Sequence, residues 1–209
     1  MKNPLHYQLS EYDCGPTSLL NAISFLFERE EIPPEILRNI MLYCLDCYGP
    51  EGSAGKSGTS CTAMMFLSNW LQGLGDIGKL PISSRYLRDS DVYVGDNSLL
   101  LDALYRGGAV VVRLYYEVAH YVLFTGVKDG QILLFDPYYQ TVPFTKPDEK
   151  EALLVTDHPF SWNRSVPFSY FNRESMELYA LGEMAGREAV LLFNRNTVLT
   201  EEATIEYFI

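Results

Sequence analysis

The chain has 209 residues, enough for one good-sized domain, and 47% of them are hydrophobic, so it can bury a core. The formal net charge is -11, and no basic cluster offers a footprint for a phosphate backbone, which argues against nucleic-acid binding. No apolar run approaches the ~20 residues of a membrane helix, and no secretory signal is evident. We therefore expect a cytoplasmic protein whose four cysteines serve as thiols, ligands or catalysts rather than disulfides.

Helical patterns dominate the first half of the chain. Pro16 suits the first turn of a helix, because its missing N–H would be unpaired there anyway, and the apolar residues that follow recur at helical spacing. Thr59 or Ser60 can cap a later helix. The predicted helices cover about 16–28, 35–47, 60–71 and 98–105, with a Gly-rich loop over 49–60.

Strand patterns dominate the second half. Asp129-Gly130 marks a hairpin turn, and a second hairpin is expected to join 176–182 to 188–194. This order predicts an α+β fold in one domain covering 1–209, with a mainly helical half (1–108) and a mainly antiparallel sheet half (109–209). The other predicted strands are 109–114, 120–126, 131–136 and 141–144.

Cys14 lies at the entry to the first helix. The free N–H groups and the partial positive charge of a helix N-terminus favour a thiolate over a thiol, and the thiolate is the nucleophile. Gln8 precedes it by six residues (14 − 8). Its amide could donate toward the same point as the Cys14 backbone N–H, and two such donors form an oxyanion hole.

His120 begins one predicted strand and Asp136 ends the next. A two-residue turn between the strands would place them on opposite faces of the sheet. A three-residue loop, 128–130, would set Asp136 opposite Val122 and make His120 its diagonal neighbour, within side-chain reach. This arrangement requires the loop to have an odd number of residues. In it, Asp136 orients His120, and His120 deprotonates Cys14 and later protonates the leaving group.

These residues and their order resemble a known family. The segments are Gln8, Asp13-Cys14-Gly15, Ala119-His120-Tyr121-Val122 and Phe135-Asp136-Pro137. They are similar to peptidase family thirty-nine of the papain clan, whose best-known bacterial members cleave double-glycine leader peptides from bacteriocins. The resemblance covers roughly 5–140.

The resemblance implies a papain-like α+β fold, a peptide or protein substrate, and catalysis without cofactor or metal. Carried over by position, the catalytic residues are Gln8, Cys14, His120 and Asp136. The Cys-to-His separation of 106 residues (120 − 14) is long for the leader peptidases, which indicates an insertion around 30–60.

The expected activity is a cysteine hydrolase that cleaves a peptide or isopeptide bond through an acyl-enzyme on Cys14. Transglutaminases and arylamine acetyltransferases use the same Cys-His-Asp order with an amine as acceptor, so acyl transfer remains open. A third possibility is a peptide-binding module on a catalytically silent scaffold. The oligomeric state is also open.

Three other signals are weaker. The segment 50–57, PEGSAGKS, has Pro where a phosphate-binding loop needs its first Gly, which favours a flexible loop. Cys44 and Cys47 would share one face of a helix, and a zinc site with Cys61 would need a fourth, distant ligand, so core packing is favoured. His158 lies in a Pro-containing stretch and is a poorer catalytic candidate than His120.

Overall fold

The protein, described by a computed structural model over residues 1–200, combines helices with one seven-stranded sheet. In chain order the elements are α1 Cys14–Leu26, α2 Pro34–Cys44, α3 Cys61–Asp76, β1 Ile82–Arg88, α4 Leu99–Tyr105, β2 Ala109–Tyr116, β3 Val118–Lys128, β4 Gln131–Phe135, β5 Leu153–Leu154, β6 Arg164–Pro167 and β7 Glu188–Asn194.

The strands form a sheet of order β1-β7-β2-β3-β4-β6-β5, in which neighbouring strands run antiparallel. One face packs against α1, α2 and α3, and the other against α4 and the segment 170–181. Because both faces are covered, β2 is apolar at consecutive positions, with Val111 on the first face and Val112 on the second. The predicted α+β class is therefore confirmed.

The start of each of three helices is explained by the residue found there. Ser60 caps α3 as predicted, since its side chain accepts a hydrogen bond from the Ala63 N–H. Ser98 caps α4 by accepting from Leu100 and Leu101. Pro34 occupies the first turn of α2, where its missing N–H costs nothing.

The predicted strands are only partly right. Strand β1 was missed because its sequence, ISSRYLR, alternates polar and apolar residues weakly. The segments 141–144 and 176–182 form no strand, so the predicted hairpin from 176 to 194 is wrong, and β7 pairs with β1 and β2 instead. Leu178, Tyr179 and Leu181 of the segment 176–182 are buried against the second sheet face without joining the ladder.

The turn between β3 and β4 differs from the predicted three-residue loop. Lys128 pairs directly with Gln131, which leaves the two-residue turn Asp129-Gly130. Both turn residues have positive φ, 50° and 74°, as a type I′ hairpin requires. By itself, this even turn would have separated His120 from Asp136.

A β-bulge at Thr125 restores the register that the site needs. Gly126 pairs with Leu133 but Phe124 pairs with Leu134, so Thr125 is an extra residue on β3. The Thr125 hydroxyl donates to the Leu133 carbonyl over 3.2 Å. Beyond the bulge the paired residue numbers sum to 258 (124 + 134), so Asp136 follows β4 on the face that His120 occupies.

No helix within residues 1–200 is long and apolar enough to cross a membrane.

Candidate functional site

Cys14 is the first residue of α1, and its side chain is nearly buried at 8% exposure. The first N–H groups of a helix have no intrahelical partner, and Cys14 lies at this end of α1. A hydrogen bond of 3.0 Å from the Ser18 hydroxyl to the Tyr121 carbonyl fixes α1 against β3. Gly15 allows the chain before α3 to approach closely, because a Cβ there would overlap the Thr59 side chain.

His120 and Asp136 meet as the sequence predicted. His120 Nε2 lies 2.7 Å from Asp136 Oδ1, and the two residues are only 6% and 1% exposed. The Cys14 side chain also interacts with the His120 ring. Since Nε2 faces Asp136, Nδ1 is the nitrogen left for Cys14, so the site has the order Cys14, His120, Asp136.

The ionisation of His120 is set by its two neighbours. Burial lowers its pKa, but the charge and hydrogen bond of Asp136, together with Cys14, outweigh that effect and raise the pKa to about 10. For the Asp136 carboxyl, burial acts in the opposite direction and raises the pKa. The charges of His120 and Arg164 and the hydrogen bond from the Tyr138 N–H outweigh burial and bring this pKa below its usual value. Asp136 is therefore an anion, and Nε2 of His120 carries the proton between them.

This raised pKa predicts a stability profile. The His120 contribution is fully present below its ordinary value of 6.5 and is lost as pH rises through the folded value of about 10. We expect the free energy of unfolding to fall across that window by up to about 1.4 kcal/mol per pH unit. Urea unfolding under reducing conditions at about pH 7 and about pH 9 measures this slope. The slope should become shallower in His120→Gln, and an unchanged slope would contradict the interpretation.

Gln8 lies beside the chain that carries Asp136, since its backbone N–H donates to the Pro137 carbonyl over 2.9 Å. Its side-chain Nε2 donates to the Ser10 carbonyl over 2.7 Å, which uses one of two amide hydrogens. Its Oε1 is buried and has no partner in the described chain. The Ser10 carbonyl therefore fixes which end of the amide is the donor.

Asp13 organises the loop between Gln8 and Cys14. Its carboxylate accepts from the Leu9 N–H, the Ser10 N–H and the Ser10 hydroxyl at 2.9, 2.7 and 2.6 Å. Burial raises its pKa, but these hydrogen bonds, led by that of Ser10, lower it overall. Asp13 was quoted only as part of a motif and was given no role. An Asp directly before a helix signals an N-cap, but its side chain makes no cap hydrogen bond here.

Three further residues around Asp136 were missed. The Tyr179 hydroxyl donates to Asp136 Oδ2 over 2.9 Å. The Asn163 side chain brackets the Asp136 backbone, accepting from its N–H and donating to its carbonyl, each over 2.8 Å. Arg164 is buried beside them. All three come from beyond residue 145, where no sequence pattern indicated a link to the site.

The rival signals were the cysteines of 44–61 and His158. Cys44 is the last residue of α2 and is buried, whereas Cys47 lies beyond the helix, so the predicted shared face is wrong. His158 stacks on Trp162 with centroids 4.3 Å apart and is half-exposed. Within residues 1–200, no three His, Cys, Asp or Glu side chains cluster closely enough to hold a metal ion.

No protein-family model matches the sequence, and no curated protein matches it significantly. Two solved structures are similar in fold. A double glycine motif protease from an AMS/PCAT transporter, crystallised in complex with the leader peptide, has 14% identity and a TM-score of 0.42 over 91% of this chain and 89% of its own. The peptidase domain of Streptococcus mutans ComA has 14% identity and a TM-score of 0.40 over 90% and 98%. At this identity, the function of the chain has to be inferred from its own side chains.

Proposed function

We propose that the protein is a cysteine hydrolase that cleaves a peptide or isopeptide bond through an acyl-enzyme on Cys14. The observation that carries this proposal is the buried His120 ring, which contacts the Cys14 side chain and is bonded through Nε2 to Asp136. A nucleophile, a base and a group that orients the base are the minimum for such catalysis. A histidine buried only for packing would not need a charged partner on one nitrogen and a thiol at the other.

The chemistry follows from the order of these groups. The raised pKa of His120 keeps its ring protonated near neutral pH, so Nδ1 holds the proton that Cys14 gives up, and the sulfur attacks the substrate carbonyl to form a tetrahedral adduct. The imidazolium, supported by the Asp136 charge, returns the proton to the leaving amine as the C–N bond breaks. Water then attacks the thioester with His120 again acting as base, which releases the acid and restores the thiol.

Gln8 is proposed to stabilise the oxyanion together with the Cys14 backbone N–H. The second Nε2 hydrogen of Gln8 is the available donor, because the first is held by Ser10. The Asp13 carboxylate supports this role, since it holds the backbone of residues 9 and 10 in place. Each such donor is typically worth about 100-fold to 1,000-fold in rate.

A cavity of about 220 Å³ lies beside Tyr12, two residues before the nucleophile. Its other walls come from the loop between α2 and α3, including Pro50 and Lys56. We propose that this loop, part of the segment predicted to be an insertion, borders the substrate on the α1 side of the site.

An acyl donor tests the function directly. With 4-nitrophenyl acetate we expect a burst of nitrophenolate equal to one per chain, an acetyl group on Cys14 by mass spectrometry, and slow release in water. Cys61→Ala, which removes an exposed thiol, should leave the burst intact. If the acetyl group leaves only when an amine is added, the protein is an acyltransferase. If Cys14 acquires no acetyl group, the enzyme proposal fails.

A further inference from the structure

The two oxygens of the Asp136 carboxylate have different partners. Oδ1 accepts from His120 Nε2 and from the Tyr138 N–H, at 2.7 and 2.8 Å. Oδ2 accepts from the Tyr179 hydroxyl at 2.9 Å. A carboxylate bonded on both oxygens cannot turn about its χ2 axis without breaking a bond, so Tyr179 keeps Oδ1 directed at His120.

Tyr179 is itself held firmly. Its backbone N–H donates to the Tyr115 carbonyl over 2.7 Å, and the Tyr115 N–H donates to the Ala180 carbonyl over 2.9 Å. Its ring is fully buried and packs between Tyr116 and Phe144, at centroid distances of 6.3 and 6.1 Å. Its φ is +58°, a conformation that a bulky side chain rarely adopts and that persists only where the surroundings impose it.

The Tyr179 hydroxyl is a permanent donor. Burial and the Asp136 charge raise its pKa well above the ordinary value, and the Arg164 charge opposes this only in part. The charged and titratable groups that face Asp136 are His120 from β3, Arg164 from β6, Tyr116 at the end of β2 and Tyr179 itself. None of the tyrosines in this set competes with Asp136 for a proton near neutral pH, because the pKa of each is raised.

We propose that Tyr179 is a positioning residue that acts through Asp136 to hold the His120 ring in its catalytic orientation. This role rests on the proposed function, since it concerns the efficiency of the same three groups. It also gives a role to 178–182, which is irregular and buried and lies outside 5–140, the part of the sequence on which the resemblance to the peptidase family rests.

The test is Tyr179→Phe, which keeps the ring and removes only the hydroxyl. With 4-nitrophenyl acetate as probe, we expect kcat to fall about 10-fold to 100-fold with KM unchanged, because misplacing a catalytic group costs rate rather than binding. The low-field proton NMR signal of His120 Nε2–H should weaken or move upfield. Tyr170→Phe is the matched control, since Tyr170 is also buried but packs on Arg173, away from Asp136.

Two results would overturn the proposal. One is an unchanged Nε2–H signal in Tyr179→Phe, and the other is an equal loss of kcat in Tyr170→Phe, which would mark a general effect on stability. The NMR signal needs no substrate. If the wild-type protein fails to acylate Cys14, the signal therefore still reports whether Tyr179 positions His120, and the two failures can be told apart.

Discussion

Replacing His120 with alanine is expected to lower the rate of Cys14 acylation by 4-nitrophenyl acetate about 1,000-fold. The imidazole is the only base in the described chain that interacts with the Cys14 side chain while bonded to a carboxylate. Without it, the thiol must lose its proton to water, and this accounts for the whole effect because nitrophenolate leaves as an anion. Stopped-flow release of nitrophenolate measures the rate, and circular dichroism checks that the variant folds.

The control for this change is His158→Ala. That residue is half-exposed and stacks on Trp162, so its loss should leave the rate within about twofold of the wild type. The acylation rate of Asp136→Asn should lie between those of the two histidine variants, because the amide can keep the ring in place but cannot support its positive charge. An acylation rate in His120→Ala close to that of the wild type would remove His120 from the mechanism.

The His120–Asp136 pair shows what could and what could not be predicted from the sequence. The two residues were paired correctly from motif order and strand alternation. The predicted device, a three-residue loop, is absent, and the Thr125 bulge supplies the same one-residue offset further along β3. Asp129-Gly130 is the sequence signal of a two-residue turn, whereas the bulge at Thr125 is signalled only by the adjacent Gly126, since a glycine within a strand often marks a bulge.

Tyr179 is a residue of the site that the hydrophobic periodicity of the sequence could not reveal. The run 176–182 was predicted as a strand because its apolar residues suit one, yet it is irregular chain that is buried from residue 178 onward. Its contact with Asp136 spans 43 residues and depends on how the segment crosses the second sheet face. Only tertiary packing brings them together, so sequence order implied the catalytic groups but not the residues that hold them.

Replacing Arg164 with methionine is expected to destabilise the protein by about 3–5 kcal/mol. The side chain is only 1% exposed, and its charge helps keep Asp136 ionised in a fully buried place. It also donates to the carbonyls of Asn163 and Tyr138, over 3.0 and 3.3 Å. Methionine fills similar volume, so the loss should come from the two unpaired carbonyls and from the missing Arg164 charge, which leaves His120 as the cation that balances Asp136.

The matched control is Arg38→Met. Arg38 is exposed on α2 and, within residues 1–200, bonds only the adjacent Asn39 side chain, so its replacement should change the free energy of unfolding by less than about 0.5 kcal/mol. The double variant Asp136→Asn with Arg164→Met separates charge from packing. Since it removes both charges, it should be more stable than the sum of the two single changes predicts. Additive losses in urea unfolding would instead mean that Arg164 acts through its carbonyl partners, and that Asp136 stays ionised by its bonds to His120, Tyr138 and Tyr179 alone.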